Sequence, residues 1–339
     1  MLNRPDNRTL LPRFPSAPIA RERRKTPRPW GRSIPCGPLT ALQKEVTCPP
    51  VAQPGVEQMV QELKKWAAAA QANENRTEAA ARILNCYRDN GQELYLVSLR
   101  LKTLPDCLGE LSSLQRLSVE NNQLAALPDR IGDLASLQWL DVENNQLVKL
   151  PERIGNLSLL QSLYAARNKL SALPECIGSL SWLQKLHISN NQLTQLPDCI
   201  GDLSWLQRLD VAGNQLTRLP DCIGDLVWLQ RLDVANNQLT QLPERIGDLS
   251  WLQQLYLSSN QLAQLPERIG DLSSLQCLWL GDNPLIALPA PIRNMVAFRD
   301  YADNLTYVHL PTGPGTDPDL CDSNHRPLAP WRGRSRTGR

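Results

Sequence analysis

The residues of this chain able to ligate a metal or attack a substrate are few: nine cysteines and three histidines in 339 residues. Cys176, Cys199 and Cys222 recur at a spacing of 23 residues. Three thiolates in a row are soft-metal ligands in principle. One-sided thiols on parallel turns, however, do not readily enclose an ion in a tetrahedron. The same position holds Arg130, Arg153, Arg245 and Arg268 in other copies, so it reads as solvent-facing. Free thiols on a surface fit a reducing compartment. The histidines His187, His309 and His325 have no nucleophile or ligand partner at a recognisable spacing. No Gly-rich phosphate loop and no nucleophile elbow is present. The sequence therefore gives no catalytic residue, no cofactor and no metal site, and the chain is read as a non-enzyme. What remains for its side chains is binding.

The 23-residue spacing of those cysteines runs through most of the chain. Leu-Pro occurs nine times in phase, from Leu104-Pro105 through Leu196-Pro197 to Leu288-Pro289. A fixed period of this size marks a solenoid, in which one unit cannot bury its apolar face and stacked units can. Between the Leu-Pro pairs runs Leu-x-x-Leu-x-(Leu/Val/Ile/Ala)-x-x-Asn-x-Leu; the middle copy supplies Leu206, Leu209, Val211, Asn214 and Leu216. This is identified as the leucine-rich repeat. Leu209 and Val211 are two apart, as inward residues of a strand must be. Strands stacked about 4.8 Å apart would carry nine turns over about 40 Å. The asparagines at 122, 145, 168, 191, 214, 237, 260 and 283 fall where the chain leaves the strand. An inward amide there can satisfy loop N–H and C=O groups. Pro near the start of each outer limb suits a short helical or 3₁₀ turn. The expected fold is an α/β solenoid: a curved parallel sheet on the concave face, short turns on the convex face, and an N-terminal helical hairpin as cap.

That frame locates the binding residues. Side chains flanking the inward strand leucine face the concave surface. One column reads Arg116, Trp139, Ser162, Lys185, Arg208, Arg231, Gln254, Cys277. The next reads Ser118, Asp141, Tyr164, His187, Asp210, Asp233, Tyr256, Trp279. These columns vary while the frame is regular, as expected of side chains free of packing. Trp, Tyr and Arg are the types that anchor protein interfaces. The expected partner-binding set is Trp139, Tyr164, Lys185, His187, Arg208, Asp210, Arg231, Asp233, Tyr256 and Trp279. For Arg208, Asp210, Arg231 and Asp233 the alternative is mere pairing across adjacent strands. Trp182, Trp205, Trp228 and Trp251 form a second ladder leading into the strands. It reads either as a partner or self-association surface or as packing that shields the turn–strand junction.

Charge is uneven around this frame. Net charge is +2, but residues 1–55 carry +7, 311–339 carry +2 and 56–310 carry −7. Residues 1–54 are Pro- and Arg-rich and read as a disordered leader without a basic amphipathic helix, and nucleic acid is not an expected partner. The first 30 residues lack the apolar core of a secretory signal, and no run is long enough to span a bilayer. Val56, Val60, Leu63 and Ala67, then Thr77, Ala80, Ile83, Leu84 and Tyr87, predict two helices within 55–91, the second ending near Asn90-Gly91. The repeats occupy 92–290, with a first strand over Leu94–Leu101 and Leu99 in place of the ladder Asn. A closing helix, Ile292 to Tyr301, falls in a C-terminal cap of 291–310. Residues 311–339 read as a loose basic tail.

Trp66, Glu74-Asn75-Arg76, Ala79, Arg82-Ile83, Cys86, Glu93-Leu94, Leu96, Leu99, Leu101 and Leu104-Pro105 resemble the cap and first repeat of bacterial leucine-rich-repeat effectors of the IpaH, SspH and YopM type. The resemblance covers residues 60–310. It implies export through a type III secretion system on a signal in residues 1–54, and action on a host protein in the host cytoplasm. Two departures stand against it. The 23-residue form Leu-Pro-x-x-Ile-Gly-x-Leu-x-x-Leu-Gln looks more like Ras-group-related repeat proteins of plants and animals, which implies a cytoplasmic scaffold. Many family members also carry a C-terminal ubiquitin ligase domain with a Cys-x-Asp motif. Here Cys321-Asp322-Ser323 lacks that spacing, and the chain is similar to ligase-free members or to the remnant of a ligase.

Overall fold

Stacking begins with the strands, because an inward leucine on a lone strand has nothing to bury against. The computed structural model of the protein describes residues 54–71, 73–295 and 307–309. The predicted leader and C-terminal tail, and the second half of the predicted closing helix, lie outside them. Nine three-residue strands form one parallel sheet in sequence order: β1 (Glu93–Tyr95), β2 (Arg116–Ser118), β3 (Trp139–Asp141), β4 (Ser162–Tyr164), β5 (Lys185–His187), β6 (Arg208–Asp210), β7 (Arg231–Asp233), β8 (Gln254–Tyr256) and β9 (Cys277–Trp279). A tenth strand, β10 (Tyr307–His309), which the sequence reading did not foresee, pairs antiparallel with β9. The register sets each repeat position against its own counterpart, as Leu186 against Leu209 and Leu209 against Leu232. The leucines Leu117, Leu140, Leu163, Leu186, Leu209, Leu232 and Leu255 are fully buried. Each such side chain contributes roughly 1.5–3 kcal/mol relative to exposure.

The opposite limb is a 3₁₀ turn in eight repeats, such as Asp221–Asp225; the last Leu-Pro leads instead into α3 (Ala290–Met295). Each turn starts after an extended Pro, as at Pro220 (φ −70, ψ 151), and closes by a backbone bond from Ile223 N to Pro220 O of 3.1 Å. Successive turns approach closely at the Ile-Gly step. A Cβ on Gly224 would stand 2.6 Å from the Arg245 carbonyl oxygen, so glycine is required there by the neighbouring backbone.

The ladder asparagines do what their position requires. Asn214 Oδ1 accepts from Leu193 N (3.0 Å), while Nδ2 donates to Ile188 O (3.1 Å) and Val211 O (2.9 Å). One buried amide thus ties its own strand exit to that of the preceding repeat. The residue before it turns the chain with a left-handed backbone: Asn121 (φ 56), Asn190 (φ 55), Gly213 (φ 65) and Asn236 (φ 54). Asn and Gly tolerate that region best, which gives the recurring Asn-Asn a physical reason. Ser98 (φ 59) and Arg100 (φ 57) make the same turn in the first repeat, so the paired strand is shorter than the predicted Leu94–Leu101.

Two helices precede β1. They are α1 (Pro54–Ala68) and α2 (Arg76–Arg88). Their buried faces differ from the expected ones. Met59 and Leu63 are buried in α1, with Val56, Val60 and Ala67 only half-buried; α2 buries Arg76, Ala79, Ile83 and Cys86. Met59 was missed because the apolar stripe was traced one residue round the helix. Glu74-Asn75-Arg76 joins the helices to the first repeat. Glu74 accepts from Lys102 N (2.7 Å) and Gln71 N (2.7 Å) and pairs with Arg76 at 3.1 Å. Arg76 donates to Trp66 O (3.0 Å) and lies 5.1 Å over the Trp66 ring. Asn75 N donates to Leu99 O (2.9 Å), and Trp66 Nε1 donates to Thr103 Oγ1 (3.2 Å). Burial alone would raise the Glu74 carboxyl, but these backbone donors and Arg76 hold it below its ordinary value.

Two stability predictions follow from these bonds. Asn214→Ala leaves the buried Leu193 N–H without its acceptor and removes one of the two amide donors to Ile188 C=O, the other being Asn191, and should cost about 1–3 kcal/mol. Gln215→Ala, at an exposed neighbour, should leave the melting temperature nearly unchanged. Equal melting temperatures would refute the ladder assignment. Arg76→Ala removes the countercharge of Glu74 and the bond to Trp66 O, while Glu74 keeps the Lys102 and Gln71 N–H donors, and should cost about 1–3 kcal/mol in denaturant unfolding. A change within about 0.5 kcal/mol would mean the pair does not hold the hairpin.

Candidate protein-binding surfaces

The solvent side of the sheet is built from the residues that flank each inward leucine. A three-residue strand with one buried centre must point its first and third side chains the other way. The predicted columns occupy those positions in β2 through β9. Parallel in-register stacking then places like beside like. Trp139 and Tyr164 have ring centroids 5.7 Å apart, and Tyr164 stacks on His187 at 4.9 Å with the planes 29° apart. His187 Nδ1 lies 3.6 Å from Asp210 Oδ2. Further along, Arg231 sits 4.5 Å over the Tyr256 ring, and Tyr256 stacks on Trp279 at 5.9 Å. Lys185 and Arg208 stand between the two aromatic groups, Lys185 opposite Arg208 and Arg208 opposite Arg231.

One expectation needs correction. The columns are not wholly free of packing: Tyr256 is buried, as are Ser118, Asp141, Asp233 and Cys277. Tyr256 is enclosed by Arg231 on one side and Trp279 on the other, because a large ring fills the gap above a short strand. The register sets Arg208 against Arg231 and Asp210 against Asp233, and within β7 Arg231 pairs with Asp233 at 3.4 Å.

Stacked carboxylates have an electrostatic consequence that the sequence reading missed. Burial, opposed by the Glu143 N–H bond to Asp141 Oδ1 (3.0 Å), pushes Asp141 up to about 6. Burial and then the charges of Asp141 and Glu120 push Glu143 up to about 7. Asp233 is raised by burial and by Asp210. The signal was present as Glu120 and Glu143 at one repeat position, two residues after Ser118 and Asp141.

The second ladder lies on the flank entering the strands. Trp182, Trp205, Trp228 and Trp251 are exposed and stacked, at 6.1, 6.0 and 5.4 Å between successive centroids. Leu159 occupies the same repeat position one turn earlier and is also exposed. Cys176, Cys199 and Cys222 are half-buried and packed against the core, so the solvent-facing reading of that position was too simple. Cys176 Sγ donates to Glu152 O at 2.7 Å. Burial pushes all three thiols up, Cys199 to about 11, where a thiolate ligand is scarce near neutral pH. Where Arg stands instead, it reaches out to acids: Arg245 to Asp225 at 2.6 Å and to Asp248 at 3.1 Å. Among the described residues no cluster of three His, Cys, Asp or Glu is placed to hold a metal. None of their helices is long and apolar enough to cross a membrane.

A regular parallel sheet backed by 3₁₀ turns and laced by asparagine defines a leucine-rich-repeat solenoid, a class that generally binds proteins and does not catalyse. The family model for a leucine-rich repeat region matches residues 94–192 and 222–303, and the Leucine Rich Repeat model matches 182–203 and 205–226. The chain belongs to the leucine-rich-repeat family. No curated protein sequence is significantly similar to it. Among solved structures it is similar to a leucine-rich-repeat protein of Leptospira interrogans, with 35% identity, 61% of this chain and 59% of that one covered, and a TM-score of 0.57. It thus spans rather less than two thirds of that chain. It is similar to YopM, a leucine-rich effector protein of Yersinia pestis, with 31% identity, 70% and 69% coverage and a TM-score of 0.57. The leucine-rich-repeat domain of the type III effector XopL shares the fold at 24% identity, with 75% and 95% coverage and a TM-score of 0.61.

The raised carboxyls give a pH prediction. Between about pH 4 and 7 the folded protein holds protons on Asp141 and Glu143 that the unfolded chain, near 3.8 and 4.5, has released. By linkage, these groups make stability fall as pH rises through that window, the reverse of a depressed carboxyl such as Glu74. Glu143→Gln should therefore melt higher than wild type at pH 8, and the gap should narrow at pH 5. A gap that stays constant or changes sign would contradict the assignment.

Proposed function

We propose that the protein is a non-enzymatic binding solenoid whose partner is a protein seated on the solvent side of the sheet. The observation that supports this most is the pair of aromatic clusters there. Trp139–Tyr164–His187 and Tyr256–Trp279 flank a charged stretch of Lys185, Arg208, Asp210, Arg231 and Asp233. Trp, Tyr and Arg, all present on this face, are the residue types that most often anchor protein interfaces. The partner-contacting set is that of the sequence reading, with the half-buried Trp139 and Tyr164 among its accessible anchors.

The finer reading is a bacterial effector exported by type III secretion to act on a host protein in the host cell. Its support is the Glu74-Asn75-Arg76 junction with Trp66, the likeness to YopM, and a basic, Pro-rich segment before residue 55 that suits an export signal. A second reading, a cytoplasmic scaffold of the Ras-group-related type, is favoured by the 23-residue repeat with its Ile-Gly step.

Capture from host-cell lysate on the immobilised full chain, compared with Trp139→Ala/Tyr164→Ala, checks the binding face. The expected result is a specific protein whose affinity falls at least about 30-fold in the variant, as loss of an anchor worth about 2 kcal/mol requires. A partner that survives this variant but is lost with Trp205→Ser/Trp228→Ser would move the site off the sheet.

A further inference from the structure

We propose that two copies of this chain associate through the tryptophan flank, antiparallel about a two-fold axis that passes between Trp205 and Trp228. The flank is independent of the sheet columns and leaves them open in both copies.

The first argument is area. Trp182, Trp205, Trp228 and Trp251 expose 52%, 45%, 39% and 50% of their surface. A tryptophan can bury about 150–250 Å², so four half-exposed rings offer roughly 400 Å² of contiguous apolar surface. Leu159 and Val227, at 45% and 47% exposure, widen the strip. That is the size of the largest apolar patch on a soluble monomer, about 300–600 Å², which is often a functional surface. Doubled by a two-fold axis and widened by the intervening serines and glutamines, it reaches about 1,200 Å², the lower bound of a specific interface.

The second argument is periodicity. The rungs are nearly parallel over Trp182–Trp205 (8°) and Trp205–Trp228 (3°), with spacings of 6.1 and 6.0 Å. A corrugated strip of that period fits best against another of the same period, and a second copy has it by construction. Antiparallel docking sets Trp182 of one copy beside Trp251 of the other, with Trp205 beside Trp228. The ladder ends at Leu159 and Ser274, which limits sliding to other registers.

The third argument is charge. The rung motif is Ser-Trp-Leu-Gln or Val-Trp-Leu-Gln, with no ionisable side chain. Three residues before Trp228 and Trp251, Asp225 and Asp248 are paired with Arg245 and Arg268 at 2.6 Å each, while Asp202, three residues before Trp205, is an exposed acid at the same repeat position. Two flanks can therefore meet with little like-charge repulsion at the contact. The full chain, at +2, carries little net charge to oppose approach at long range.

Sedimentation velocity on the full chain from 1 to 100 µM is the test. The comparison variant is Trp205→Ser/Trp228→Ser. Ser113, Ser136 and Ser274 already occupy this rung elsewhere, so the change is compatible with the fold. Wild type should double in mass across the range. The double variant should remain monomeric with an unchanged circular dichroism spectrum, a loss of at least 100-fold in association constant. A blue shift of tryptophan emission should accompany dimerisation. A monomeric wild type at 100 µM overturns the proposal, including one whose emission is already blue-shifted because residues 1–53 or another part of the chain covers the ladder. A double variant that still dimerises overturns it as well. Neither result bears on the Trp139/Tyr164 capture experiment.

Discussion

The structure depends on one buried amide per repeat. A sheet of three-residue strands ends abruptly, and the chain that leaves it carries N–H and C=O groups into the interior. Unpaired, each such group costs on the order of a kilocalorie or more. Asn122 through Asn283 meet that demand from both sides, accepting from one turn and donating to two or three carbonyls. Each bond set reaches into the preceding repeat, so polar satisfaction and repeat order are the same requirement. In the first repeat, where Leu99 replaces the amide, the Leu99 carbonyl is taken by Asn75 N from the helical segment. The hairpin thus completes the hydrogen bonding as well as the apolar packing of the first turn.

In-register stacking is the second organising fact, and it acts on every column alike. Where the repeated residue is leucine, identical neighbours make a continuous core. Where it is aromatic, they make stacks such as Trp182–Trp205–Trp228 and Trp139–Tyr164. Where it is acidic, burial first and the crowding of neighbouring carboxylates second drive Glu143 and Asp233 toward their neutral forms. Stability and surface chemistry are therefore coupled: the geometry that secures the core also decides which surface groups are ionised near neutral pH. Arginine in the convex column relieves the same crowding, since Arg268 bridges Asp248 of the preceding turn and Asp271 of its own.

The sequence by itself determined the repeat, its length, the inward leucines and the ladder asparagines, because each is a short-range pattern copied many times. It also placed the two variable columns at the first and third strand positions, since alternation along a strand needs no tertiary information. The tertiary structure decided what depends on neighbours far apart in the chain. Tyr256 is buried and Trp205 exposed although both are aromatics at repeated positions, because their neighbours on adjacent turns differ in size and reach. Met59, and not Val60, faces inward because helix rotation is set by what α1 packs against. The role of Glu74 and Arg76 emerged only when Lys102 and Trp66 were brought beside them. The like-charge register of Arg208 with Arg231 followed from strand pairing, in which residues 23 apart become nearest neighbours.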